Sequence, residues 1–200
     1  MTSPASLALA ESHDLAVLYI NDTSRWLERA VIGLNLCPFA KGVHVKGQIH
    51  YAVSFAHSPS EILEVLRGEL LALMAASADE RDTTLLIVPD GLKDFLDFND
   101  FLGEAEALLQ AMDLDGTLQI ASFHPQFQFA GTAADDVTNC TNRAPYPTMH
   151  LLREESIDRA VAVFPEAEAI FERNMEVLEG LGMQGWIALD VGPSGTKENA

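Results

Sequence analysis

Two segments of the chain hold most of the residues whose types could do chemistry. The first is Asn35–Phe39 (NLCPF), where Cys37 follows a predicted helix and lies near the basic residues Arg29 and Lys41. A cysteine reacts as its thiolate, which nearby positive charge favours. We therefore predict that Cys37 is a nucleophile or a redox-sensitive thiol. A small, buried, unreactive cysteine is the alternative.

The second segment, 124–155, shows little hydrophobic periodicity. Loops of this length in compact domains are usually functional or disordered, and the aromatic residues of this one argue against disorder. Its density of polar side chains predicts that it lines a pocket. The alternative is a structural loop whose Asn, Asp and Thr side chains bond to their own backbone. The polar candidates are His124, Asp136, Asn139, Asn142, Arg143, His150 and Arg153.

The leading hypothesis is an enzyme that acts on a small anionic metabolite. In this hypothesis His124 is the base for Cys37 and Asp136 orients the imidazole, because a nucleophile needs a base within hydrogen-bond reach. We expect Cys37, His124, Arg143 and His150 to converge on one cleft. The sequence identifies no cofactor. The predicted substrate-binding residues are Asn139, Asn142 and His150 as hydrogen-bonding groups, and Arg143 and Arg153 for the negative charge of the substrate.

Two other functions stay open. A metal site could use His124, His150 and either Asp135 or Asp136, with Cys37 as a further ligand, although their spacing matches no known signature. A non-catalytic ligand-binding or interaction protein would instead use the apolar residues of the long segment to bury a partner surface; these are Phe127, Phe129 and Tyr146.

Several common motifs are absent from the sequence. It contains neither G-x-G-x-x-G nor G-x-x-x-x-G-K-[ST], so neither dinucleotide nor P-loop nucleotide binding is supported. It also lacks H-E-x-x-H, C-x-x-C and G-x-S-x-G. No named reaction class therefore follows from motifs.

Composition restricts the partners. A net charge of -18 over 200 residues argues against nucleic acid, which binds basic surfaces. The apolar runs are far shorter than the ~20 residues of a membrane span, and residues 1–13 do not resemble a signal peptide. Two cysteines cannot form a disulfide scaffold, so we expect a cytoplasmic protein. We expect a small-molecule ligand, and the oligomeric state is not indicated.

Helical and strand patterns alternate along the chain, which predicts a single α/β domain. We expect a small, mainly parallel or mixed sheet with flanking helices over residues 14–190, after a flexible arm (1–13) and before a disordered tail (191–200). Helices are predicted over 14–34, from Ser58 or Ser60 to Met74, over 98–112, and from Ser156 or Pro165 to Gly182. Strands are predicted at 43–55 (bulged, or a hairpin), 83–88, 117–123 and 186–189.

Three segments resemble an uncharacterised bacterial protein family, domain of unknown function 1415. They are Asn35–Ala40 (NLCPFA), Asp94–Leu102 (DFLDFNDFL) and Gln119–Glu154, which contains SFHP and TNRAPYPTMHLLRE. The resemblance covers about 26–186 and implies a soluble bacterial protein, with no activity or catalytic residues to carry over. Cys140 is atypical within this pattern, where an aromatic residue is expected.

Overall fold

Four strands form one mixed β-sheet: β1 (Ile49–Val53), β2 (Thr83–Ile87), β3 (Leu118–Phe123) and β4 (Thr148–Arg153). The computed structural model describes residues 4–162 and 169–194, without the side chains of residues 4–10. The strand order is β1-β2-β4-β3. β1 and β2 are parallel, whereas β4 runs antiparallel to both of its neighbours. The chain is therefore an α/β domain with a mixed sheet, as predicted.

Helices surround the sheet. α1 (Pro4–Trp26) continues without interruption into a π-helix (Leu27–Ile32). A 3₁₀-helix (Val137–Asn142) precedes β4. The α-helices that follow α1 in the described parts of the chain are α2 (Ala40–Val45), α3 (Pro59–Ala75), α4 (Phe95–Ala111), α5 (Glu154–Ala162) and α6 (Ile170–Ala188).

The larger core lies between one face of the sheet and helices α3 and α4. Ser58 caps α3 through a reciprocal bond with Glu61, and Asp94 caps α4 by accepting from two backbone amides. Leu66 and Leu70 of α3 and Phe98 of α4 are among the buried residues of this core, and Met149 and Leu151 of β4 join them. The capped, amphipathic helices therefore bury most of one face of the sheet.

The opposite face is covered only in part. Trp26, Leu27 and Val31, at the end of α1 and in the π-helix, form a second cluster against Tyr51 of β1 and Phe123 of β3. The middle of the sheet, over β2 and β4, is not reached by this cluster. A cavity remains there, and its geometry is described below.

β4 lies inside the segment that the sequence predicts to be a loop, and this part of the prediction is wrong. The strand has Met149 and Leu151 on the face of the larger core and His150 on the other. One face of β4 packs in the larger core and the other faces the largely apolar cavity, so the polar–apolar alternation of a half-exposed strand is lost. The periodicity that identifies strands was therefore missing.

Three boundaries also differ from the prediction. Residues 40–45 form α2, so the predicted strand or hairpin at 43–55 is reduced to β1. Residues 186–188 are helical, not a strand, because α6 kinks at Gly182 (φ 65°) and continues. Residues 4–13 belong to α1, and their flexibility stays a prediction. The predicted disordered tail lies outside the described residues from 195 onward.

The segment 190–194 is fastened to α1 by a buried carboxylate. Asp22, which is 0% exposed, accepts from the backbone N of Ser194 at 2.7 Å and from its hydroxyl. It also accepts from the Tyr146 hydroxyl at 2.7 Å and forms an ion pair with Arg25 at 2.9 Å. Burial alone would raise the pKa of Asp22, but these bonds together hold it below its usual value.

Candidate functional site

A cavity of about 660 Å³ lies on the partly covered face of the sheet. Its floor is formed by β2, β4 and β3. Its walls come from the π-helix, the turn at residues 33–39 that contains Cys37 (the Cys37 turn), α2 and α5. Gly42 and Lys46 line it and are solvent-exposed, so it reaches the surface beside α2. Most of its walls are apolar; they include Trp26, Leu27, Val31, Phe39, Val43, Leu85, Phe123, Leu152 and Ile157.

Strand register determines the floor. Leu85, His150 and Ala121 are cross-strand partners on β2, β4 and β3, so their side chains stand in one row. Ala121 is directly opposite His150, and its methyl group leaves room above the sheet. The floor therefore presents one imidazole in an otherwise apolar row, next to open space.

One ring nitrogen of His150 is fixed by Thr83. The Nε2 atom lies 2.6 Å from the Thr83 hydroxyl, which itself donates to the carbonyl O of Leu151 at 2.6 Å. Because the hydroxyl has one proton and uses it on that carbonyl, Nε2–H must be the donor to Thr83. The Nδ1 atom therefore carries a lone pair.

The Nδ1 atom of His150 is available to a ligand. It has no hydrogen-bond partner among the described residues. It is not among the buried side-chain atoms without a partner, which are the Tyr51 hydroxyl and Arg153 Nε, so it is not sealed off from open space. Since His150 lines the cavity, Nδ1 is reached from that space. Burial lowers the pKa of His150 to about 4. At neutral pH the cavity floor therefore presents a neutral hydrogen-bond acceptor.

Cys37 lines the same cavity, on the wall opposite the sheet. Burial raises the pKa of its thiol, against smaller effects of hydrogen bonds from the backbone of Phe39 and Ala40. The structure therefore brings Cys37 and His150 to one cavity, without His124 and Arg143, which were expected to join them, and keeps the cysteine as a protonated thiol.

Arg153 lines one end of the cavity, but its guanidinium is directed toward the end of α3. Its Nη2 atom donates to the carbonyls of Leu73, Ala76 and Arg81, at 2.5, 2.7 and 3.2 Å. Carbonyls at the C-terminus of a helix carry partial negative charge, which favours the guanidinium in this position. Its Nε atom is buried without a partner in the described residues.

His124 does not line the cavity. It is 0% exposed and packs against the rings of Phe95 and Phe98, with centroids 5.4 and 5.2 Å away. Its Nε2 atom donates to the carbonyl of Leu92 at 3.1 Å, and its Nδ1 atom accepts from the backbone N of Gln126 at 3.0 Å. Both nitrogens are therefore occupied by backbone, and Cys37 and His124 do not share the cavity.

Four other candidate residues stabilise the segment 124–147, three through bonds inside it and Asn142 through a bond to β3. Asp136 caps the 3₁₀-helix through Thr138, whose hydrogen bonds lower the pKa of the carboxylate. The other three, none of which lines the cavity, bond mainly to backbone: Asn139 to Phe129 N, Thr132 Oγ1 and Ala133 O, Asn142 to Ser122 O, and Arg143 to Phe127 O and Ala134 O.

The candidate metal ligands do not assemble. Within residues 4–162 and 169–194, no group of three His, Cys, Asp or Glu side chains could hold a metal ion. His124 and His150 are each already bonded, to Leu92 and Thr83.

Sequence reasoning missed Thr83 and Ala121. Thr83 opens a buried strand that the sequence does predict, and a polar residue at a buried strand position was the available signal. The role of Ala121 follows only from its register opposite His150, and β4 was not predicted. At the α5 end it also missed Asp82 and Ser156, whose side chains are bonded at 2.6 Å.

The chain belongs to the family described as "Protein of unknown function (DUF1415)", whose model matches residues 18–188. No curated protein and no solved structure matches it. None of the helices in the described parts of the chain has the length and hydropathy of a membrane-spanning segment.

Proposed function

We propose that this member of the DUF1415 family is a binding protein for a small, mostly apolar molecule that occupies the cavity on the sheet face. The observation that carries the proposal is the cavity, of about 660 Å³, with apolar walls and an imidazole on its floor. Small-molecule sites are typically cavities of about 300–1,000 Å³ with apolar walls and a few placed polar groups.

Binding is favoured over catalysis because both candidate reactive groups are held in their less reactive forms. Burial raises the pKa of Cys37, so at neutral pH the nucleophilic thiolate is scarce. The pKa of His150 is about 4, whereas an efficient general base has a pKa near the operating pH. Asn139, Asn142 and Arg143, which were candidates for substrate binding, are bonded mainly to backbone.

The test is a cavity-filling substitution. Ala121→Leu places three further carbon atoms beside His150. We expect the neutral fluorophore N-phenyl-1-naphthylamine to bind the wild-type protein at one site, and to bind the variant at least about tenfold more weakly, a loss of about 1.4 kcal/mol. Ala160→Leu, on α5 in the cavity wall, is the second filling variant. The matched control is Ala107→Leu on the exposed face of α4.

Equal affinity of the fluorophore for the wild-type and both filling variants, with all proteins folded by circular dichroism, would contradict the proposal. A loss of affinity in Ala107→Leu as well would mean that the fluorophore binds elsewhere. No binding to the wild-type protein would also count against the proposal.

A thiol enzyme is the second candidate, and one observation favours it: Cys37 and His150 line the same cavity. An activated Cys37 would react with iodoacetamide at pH 7 faster than free cysteine does, and Cys37→Ser would abolish the fast reaction. The binding proposal expects a slower reaction than that of free cysteine, because the thiol is buried and protonated.

We also propose a cytoplasmic location. The support is that both cysteines, Cys37 and Cys140, are free thiols, which is usual in reducing compartments.

A further inference from the structure

We propose that the molecule bound in the cavity carries an uncharged hydroxyl group, phenol-like or alcohol-like, which donates a hydrogen bond to Nδ1 of His150. This inference rests on the proposed function and names the class of ligand. It replaces the anionic metabolite that the sequence suggested.

The first step is the direction of the hydrogen bond. The Thr83 hydroxyl accepts a hydrogen bond from Nε2–H of His150 and donates one to the carbonyl O of Leu151. Two hydrogen bonds of 2.6 Å therefore set the tautomer. Nδ1 can then only accept. A ligand group that lies against it must be a donor, because two buried acceptors that face each other would both lack a hydrogen bond.

The second step is the charge of the ligand. A carboxylate or phosphate has only acceptor oxygens and needs a cation to offset its burial. Arg153 keeps its charge, but its Nη2 atom is bonded to the backbone carbonyls of Leu73, Ala76 and Arg81, so the guanidinium cannot form the paired bonds through Nη2 by which arginine binds a carboxylate or phosphate. Lys46 is solvent-exposed at the mouth, where an ion pair contributes little. Asp82, at the α5 end of the cavity, is itself acidic.

The third step is the shape around the acceptor. The row that contains His150 continues as Leu85 on one side and Ala121 on the other. A ring or chain that lies on these side chains would place a terminal hydroxyl beside Nδ1 and its apolar body against Trp26 and Phe123, which also line the cavity. An apolar body with one hydroxyl therefore matches the polar group on the floor and the apolar walls.

The test compares three ligands of similar shape: 4-phenylphenol, 4-methylbiphenyl and biphenyl-4-carboxylate. Dissociation constants at pH 7 are measured by displacement of N-phenyl-1-naphthylamine from the wild-type protein. We expect 4-phenylphenol to bind about tenfold more tightly than 4-methylbiphenyl, as one buried hydrogen bond allows, and biphenyl-4-carboxylate to bind most weakly. In His150→Phe and in His150→Leu, which both remove the acceptor nitrogen, the ratio between the affinities of the phenol and methyl ligands should fall to about one.

The outcomes separate the two proposals. Equal binding of the phenol and the methyl ligand to the wild-type protein would overturn the hydroxyl inference and leave the proposed function standing. Tightest binding of the carboxylate, or a phenol preference that persists in His150→Phe or His150→Leu, would overturn it as well. If the fluorophore does not bind the wild-type protein, the proposed function fails and the inference with it. If the fluorophore binds and none of the three ligands displaces it, the hydroxyl inference fails alone. Should His150→Phe not fold, His150→Leu decides.

Discussion

The Nε2 atom of His150 lies 2.6 Å from the hydroxyl oxygen of Thr83, on the neighbouring strand. That hydroxyl donates to the carbonyl of Leu151, the residue after the histidine. A short polar chain therefore crosses from β4 to β2 and returns to β4 within an otherwise apolar sheet face. It fixes which nitrogen of the imidazole faces the cavity, and the predictions about ligand chemistry follow from it.

Removing the Thr83 hydroxyl should destabilise the fold. Thr83→Val keeps the shape of the side chain but leaves the Nε2 proton of His150 without its partner, and a buried unsatisfied group costs about 1–3 kcal/mol. We expect the free energy of unfolding in urea to fall by that amount. Thr117→Val, at an exposed position, is the control and should change it by less than about 0.5 kcal/mol. An unchanged stability of Thr83→Val would mean that the hydroxyl does not hold the imidazole.

The titration of His150 should be displaced far below that of an ordinary histidine. Its folded pKa is about 4, and its unfolded value is 6.5. The unfolded chain binds this proton first as pH falls. His150 therefore stabilises the folded state above pH 6.5, and this contribution is lost between pH 6.5 and pH 4, by up to about 3 kcal/mol.

The measurement is a ¹⁵N-resolved NMR titration, which separates His150 from His50 and His124, whose pKa values burial also lowers. The titratable and charged groups that line the cavity with His150 are those of Cys37, Lys46, Asp82 and Arg153. A His150 resonance that titrates near pH 6.5 in the folded protein would contradict the buried, neutral imidazole. At pH 7 the same spectra should show Nε2 protonated and Nδ1 unprotonated.

The buried carboxylate of Asp22 should control whether the segment 190–194 stays bound. Asp22→Asn removes the charge that pairs with Arg25 and one acceptor oxygen used by Ser194 or Tyr146. Breaking a buried charged network typically costs about 3–5 kcal/mol. We expect a lower melting temperature and faster amide hydrogen exchange at residues 190–194.

Asp14→Asn on the exposed face of α1 is the matched control for Asp22→Asn and should leave both quantities unchanged. Unaltered exchange at residues 190–194 in Asp22→Asn would show that other contacts hold the segment.

His124 should matter for stability and not for binding. His124→Phe preserves an aromatic ring beside Phe95 and Phe98 but leaves the carbonyl of Leu92 and the amide of Gln126 without their partner. We expect a loss of about 2–4 kcal/mol in the free energy of unfolding, with the affinity for N-phenyl-1-naphthylamine within twofold of wild type. A folded His124→Phe protein that no longer binds N-phenyl-1-naphthylamine would show that His124 contributes to the binding site.

The fold was predictable where one face of an element is exposed. Ser58 and Asp94 mark the starts of α3 and α4. The apolar residues of both helices have helical spacing, because each helix has one solvent-exposed side. β4 was not predictable in this way, since one of its faces packs in the larger core and the other faces the cavity, so neither is an open, polar surface.

Because β4 was not predicted, the site was also predicted in the wrong place. A dense polar segment predicts a pocket, but the amide of Asn139 and the guanidinium of Arg143 are used on the backbone of that segment. Cys37 and His150 could be chosen from residue type. Their shared cavity depends on strand register and on the partial cover by α1, which a single sequence does not reveal.

The most direct test of the cavity as a binding site is the position of a bound molecule. Intermolecular nuclear Overhauser effects are measured between 4-phenylphenol and the ¹³C-labelled methyl groups of the protein. We predict contacts to the methyl groups of Ala121 and Leu85, which flank His150 on the sheet face, and none to Leu66 or Leu70 in the larger core. Contacts confined to surface methyl groups such as those of Leu96 or Leu71, with none at Ala121 or Leu85, would contradict the account.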